Sequence, residues 1–191
     1  MKTVKRIKSK DAQLIKRQTW TAPDATVTDN ILNGQLVTAT SLTFTTFAAQ
    51  PDFARILTLI AKTNATDVPA GDVVITGTDI DDNVITDSLT FAANLGTAVN
   101  SVKAFKTVTK IVFPTPDGNT ATWDLGMNDQ LGLSEPLQED SLIMSLVDGT
   151  VEGTRSTIVV KSTDKTQNTI DTDTAYDGAK DVVAFYFYPW I

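Results

Sequence analysis

Val73-Val74-Ile75-Thr76-Gly77-Thr78 is followed by Asp79-Ile80-Asp81-Asp82-Asn83 and then by Val84-Ile85-Thr86-Asp87-Ser88-Leu89-Thr90-Phe91. Two β-branched runs are thus joined by five residues, four of them Asp or Asn. In the second run Ile85, Asp87, Leu89 and Phe91 alternate with Thr86, Ser88 and Thr90. A period of two places one set on each face of a strand, so the stretch reads as a β-hairpin with one buried face. Only Asp87 interrupts the apolar row. The acidic connection has two readings. Alternating carboxylates can bind Ca²⁺, but an EF-hand loop needs Gly sixth and Glu twelfth, where this chain has Val84 and Thr90. The other reading is a turn in which Asp and Asn accept backbone N–H bonds.

The same texture continues in both directions. The chain of 191 residues contains 31 Thr, with abundant Val and Ile and few Glu or Gln. Branching at Cβ favours extended backbone and packs well on a pleated sheet. Asn33-Gly34 signals a hairpin before the Thr-rich run 35–47, because both residues tolerate positive φ. Residues 55–63 form a mostly apolar run, as in a strand buried on both faces. Further β segments are expected at 102–113, 120–125, 142–147, 154–161 and 182–188, with 126–136 a turn-rich connection and 142–147 paired with 154–161. About ten short strands and no long helical pattern predict an all-β protein, an antiparallel β-sandwich of jelly-roll or immunoglobulin-like type.

Composition excludes several chemistries. With no Cys and no His, the chain has no disulfide, no Cys/His zinc site, no Ser-His-Asp triad and no histidine pH switch. There is no phosphate-binding Gly-rich loop, since Gly149 and Gly153 lack its spacing and its Lys-Ser/Thr ending. Glu135, Glu139, Asp140 and Glu152 could supply a carboxylate pair for glycoside hydrolysis, but no local motif selects two of them. No cofactor and no metal site is expected. No apolar run reaches the length of a membrane span, and none follows the basic start as in an export leader, so no membrane contact is expected.

Charge is uneven. Residues 1–17 carry Lys2, Lys5, Arg6, Lys8, Lys10, Lys16 and Arg17 against one acid, Asp11, a net +6. The chain as a whole is −7, which leaves −13 on the remainder. The sequence therefore divides into a basic N-terminal arm and link, 1–35, and a sandwich body, 36–191. The arm can be a solvated tail, can lie on an acidic protein partner, or can bind phosphates. The acidic body opposes nucleic acid, and only Trp20 lies nearby to stack on bases. The arm cations and Trp20 are thus candidate protein-partner contacts. The closing Phe185-Tyr186-Phe187-Tyr188-Pro189-Trp190-Ile191 puts aromatics on both faces of one strand. Either it is a central core strand or Phe185, Phe187 and Trp190 meet another chain or the arm.

Residues 66–79 (Thr-Asp-Val-Pro-Ala-Gly-Asp-Val-Val-Ile-Thr-Gly-Thr-Asp) and 83–89 (Asn-Val-Ile-Thr-Asp-Ser-Leu) resemble a Gly-Thr-Asp … Gly-Asn-Val-Ile-Thr pattern of tailed-bacteriophage virion proteins. Residues 103–111, 129–133 and 142–149 continue the likeness, which spans about 53–188. The resemblance implies a non-enzymatic structural protein of the virion, most like a capsid decoration (cement) protein. It would be assembled in the host cytoplasm and partnered by the major capsid protein or another virion protein. A homo-oligomer, a trimer above others, would dock through residues 1–35. Alternatives in view are a tail or head–tail connector component, a host-carbohydrate-binding module using Trp123 or Trp190, and a two-carboxylate hydrolase.

Overall fold

The computed structural model describes residues 13–40 and 42–189. Lys2, Lys5, Arg6, Lys8, Lys10 and Trp190 lie outside the described residues. Of the described residues 49% are strand and 3% helical, and they form a sandwich-like stack of antiparallel sheets.

The central sheet contains β2 (Val27–Leu36), β4 (Arg55–Thr63), β7 (Val99–Asn100), β9 (Thr122–Gly132), β12 (Thr157–Val159) and β13 (Thr169–Asp171). Its order is β12-β13-β9-β4-β7, and β2 also pairs with β9. The hairpin sheet has the order β3-β8-β5-β6, from β3 (Thr43–Phe44), β8 (Thr107–Val112), β5 (Gly71–Thr78) and β6 (Val84–Phe91). The terminal sheet has the order β1-β14-β10-β11, from β1 (Gln13–Trp20), β14 (Val182–Pro189), β10 (Leu142–Val147) and β11 (Thr150–Val151).

Two large apolar cores, with a small third cluster of Ala54, Ile56 and Ala104, lie among the described residues. The first joins Leu57, Leu59, Trp123, Leu125 and Met127 of the central sheet to Val73, Ile75, Leu89, Phe91 and Ile111 of the hairpin sheet. Trp123 anchors it, edge-on to Phe91 with centroids 5.0 Å apart and tilted against Phe113 at 5.1 Å. Such aromatic pairs add about 0.5–1.5 kcal/mol beyond their area. The second core joins Leu131, Ile158 and Ile170 to Trp20, Leu142, Val182, Ala184 and Tyr186. β9 feeds both cores.

The Asp79–Asn83 connection is a turn of the backbone-accepting kind. Asp79 is buried, and its Oδ1 accepts the N–H groups of Asp81 and Asn83, both at 2.9 Å. Asp82 takes positive φ (66°), and Asp81 and Asp82 pair with Lys165 and Lys106. Asp87 does point inward with Leu89 and Phe91. Its carboxylate is satisfied by the N–H groups of Val102 (2.7 Å) and Lys103 (3.2 Å), which ties the following loop to the edge of β6.

The structure corrects several expectations. Asn33-Gly34 is not a hairpin turn but a bulge within β2, where the register with β9 shifts between Leu32 and Gln35. Among its described residues, the Thr-rich run 35–47 holds only the two-residue β3 as a named strand beyond the end of β2. Residues 126–132 continue β9 instead of turning. Gly126 is there for close approach, because a Cβ would fall on the backbone of Val27 and Thr28. Residues 157–159 pair with β13, whereas β10 pairs with β11 and β14. The division at 35/36 falls inside β2, and residues 13–20 form a full strand of the terminal sheet.

Arg55 is wholly buried where the two cores meet. Its Nε donates to Asn128 O (2.7 Å), and one terminal nitrogen donates to Asp24 O (3.1 Å) and Asp52 Oδ1 (2.9 Å). Its guanidinium lies 5.6 Å from the centroid of the Tyr176 ring. Asp52 keeps contact with water, so the loss of Arg55 falls on its buried hydrogen bonds to Asn128 O and Asp24 O. Arg55→Met is expected to cost about 1–3 kcal/mol in denaturant unfolding, whereas Lys106→Met, at the exposed pair with Asp82, should cost under about 1 kcal/mol.

Candidate functional site

Antiparallel register partners share a face of their sheet. In the terminal sheet Ile15 lies opposite Phe187, Arg17 opposite Phe185, and Thr19 opposite Val183. On the other side of β14, Met144 faces Phe185 and Leu146 faces Val183, and Leu146 in turn faces Val151. These side chains form one row-by-row surface directed away from the second core. The opposite face carries the buried Gln18, Trp20, Ala184, Tyr186 and Ser145. Tyr186 donates to Gln18 Oε1 (2.7 Å), and Gln18 Nε2 donates to Gly132 O (3.0 Å), so the inner face is held to the central sheet by hydrogen bonds as well as by packing.

Among the described residues the outward face is only partly covered. Ile15 is 62% exposed, Val151 56% and Met144 41%, while Val183, Phe185 and Phe187 are half-buried. An antiparallel sheet normally turns polar residues to water, and a contiguous apolar face marks an interaction surface. Phe185 and Phe187 thus lie together on this face, and Arg17 is the cation in its register. Lys16 points the other way and pairs with Glu135 at 2.7 Å. Trp20 is a correction to the partner-contact set. It is 2% exposed and belongs to the second core, because strand alternation turns it inward with Gln18. β1 is also the outermost strand of its sheet, and charged residues on such an edge discourage indiscriminate strand pairing. Beside its last residues runs an open groove of about 320 Å³, lined among others by Thr19, Phe53, Ile80 and Lys106.

The other candidate residues are dispersed. Trp123 is buried in the first core, so it offers no platform to a sugar. Asp140 forms a two-pronged pair with Arg155, which holds its carboxyl below the usual range. Glu139 is exposed, and Glu152 accepts from Ser145 Oγ (3.0 Å) and Thr174 N (2.8 Å). Among the described residues no group of three or more acids is arranged to hold a metal ion, and no helix is long and apolar enough to cross a membrane. No known protein family, no curated protein and no solved structure matches the chain.

Asp171 on β13 was not singled out from the sequence, because its neighbours come from distant segments. Burial pushes its carboxyl up to about 6, with the charges of Asp129 and Glu152 adding to the effect. The folded state therefore keeps a proton that the unfolded chain releases near 3.8. Stability should fall as pH rises through this window, where the native state binds more protons. Asp171→Asn should match wild type below pH 3.8 and melt at a higher temperature above pH 6, as read by thermal unfolding across pH.

Proposed function

We propose that the chain is a non-enzymatic structural component of a tailed-phage virion, a capsid decoration protein, that docks on the capsid lattice through the outward face of its terminal sheet. One observation carries this reading: among the described residues an apolar sheet face joins the exposed Ile15 and Met144 to the half-buried Phe185 and Phe187, on the strand pair that also carries Arg17. The matching occupant is a capsid protein with an apolar patch in acidic surroundings, because Arg17 and the upstream lysines complement negative charge. The resemblance around the Val73–Phe91 hairpin supports the virion setting. The acidic remainder of the chain disfavours packaged nucleic acid as the partner. Neighbouring copies on such a lattice would meet as a homo-oligomer, with a trimer as the expected unit.

The test uses capsids of the virus that encodes the chain, stripped of it and mixed with purified protein. Wild type should rebind, less tightly as salt rises. Phe185→Glu should bind at least about tenfold more weakly, since a buried aromatic contributes roughly 1.5–3 kcal/mol. Rebinding that Phe185→Glu leaves unchanged, or a position in tail rings instead of on the head, would overturn the proposal.

A further inference from the structure

Three strands bring together an amine, a carboxylate and a carboxamide. Asp124 of β9 is 5% exposed. Its Oδ2 lies 3.2 Å from Lys62 Nζ on β4, and its Oδ1 accepts the N–H of Gly34 on β2 at 2.6 Å. Lys62 Nζ also donates to Asn33 Oδ1 at 3.3 Å. The Asn33 amide nitrogen donates in turn to Asp29 Oδ2 at 3.0 Å. Asn33 is thus held from both ends of its carboxamide. β2 and β4 lie on opposite edges of β9, so this row of side chains spans the middle strand.

We infer that Lys62 and Asn33 are the partners of an intramolecular isopeptide bond, promoted by Asp124. The chemistry is an acyl transfer needing no outside reagent. Lys62 keeps 44% of its side chain in water, so the step runs through its free-amine form: Asp124 Oδ2, 3.2 Å away, takes the ammonium proton and the nitrogen lone pair attacks Asn33 Cγ. A second amine proton and the one held by Asp124 pass to the Asn33 amide nitrogen, and the Cγ–Nδ2 bond breaks. One proton stays on the new amide, and two leave with the departing nitrogen as ammonium, so atoms and charge balance. Attack is intramolecular between groups already in contact, where orientation replaces a bimolecular encounter.

The usual rival at an Asn-Gly pair is the glycine's own backbone nitrogen, which closes a succinimide and ends in deamidation. Here Gly34 sits in the bulge at φ 59°, and its N–H is directed at Asp124. The strand pairing of β2 with β9 on either side of the bulge restrains the backbone rotation that ring closure requires. The product would join β2 to β4 across β9, a covalent brace over the first core.

The test is the intact mass and tryptic map of the full chain, freshly purified and after incubation at neutral pH. The expected mass is lower by one ammonia, with the peptide 18–55 joined to 56–103 and no cleavage after Lys62. Lys62→Arg, which keeps the ion pair but not the nucleophile, and Asp124→Asn should both restore the unmodified mass. Circular dichroism verifies that each variant is folded. An unmodified wild-type mass, or conversion of Asn33 to Asp without a branched peptide, overturns the inference.

Discussion

Eleven residues of β9 set the terms for the rest of the fold. The strand is paired along both edges, with β4 on one side and with β2 and then β13 on the other. Its first half supplies Trp123, Leu125 and Met127 to one core, and its far end supplies Leu131 to the other. Between these halves the register with β4 shifts, and Arg55 fills the junction with its guanidinium bonded to three separate segments. A buried guanidinium needs neighbouring oxygens to replace its water; here Nε and one terminal nitrogen find them, and the other terminal nitrogen is buried without a hydrogen-bond partner. Those oxygens belong to Asp24, Asp52 and Asn128, so the link after β1, the loop before β4 and the middle of β9 are fixed relative to one another.

Short-range signals located most of the strands. β4 spans Arg55–Thr63, β10 spans Leu142–Val147, and the β5–β6 hairpin lies where alternation and the acidic turn put it. The misreadings share a cause. Asn33-Gly34 and Gly126 look like turn residues in isolation, but each glycine answers to a partner distant in sequence. Gly34 meets the carboxylate of Asp124, and Gly126 meets the backbone of β2. The basic segment conceals a strand for a similar reason. Lysines argue for a solvated arm, yet residues 13–20 take their structure from β14, at the far end of the chain.

The candidate interaction face was partly legible. Aromatics on both faces of the last strand signalled that polar residues would not cover it. Which aromatics face outward, and that Arg17 joins them while Trp20 does not, follows only from the β1–β14 register. The Lys62–Asp124–Asn33 group could not be read from the sequence, because its members come from three strands brought together by β9. Both features rest on pairings that β9 and β14 make with strands distant in sequence, so each exists only once those sheets have closed.

Whether the two cores open together is read out by native-state amide hydrogen exchange. If β9 and Arg55 bind the two cores into one unit, the slowest amides of β5, β9 and β14 should exchange with the same opening free energy and respond alike to denaturant. Separate free energies, with β1 and β14 still protected while β5, β6 and β8 open, would contradict it.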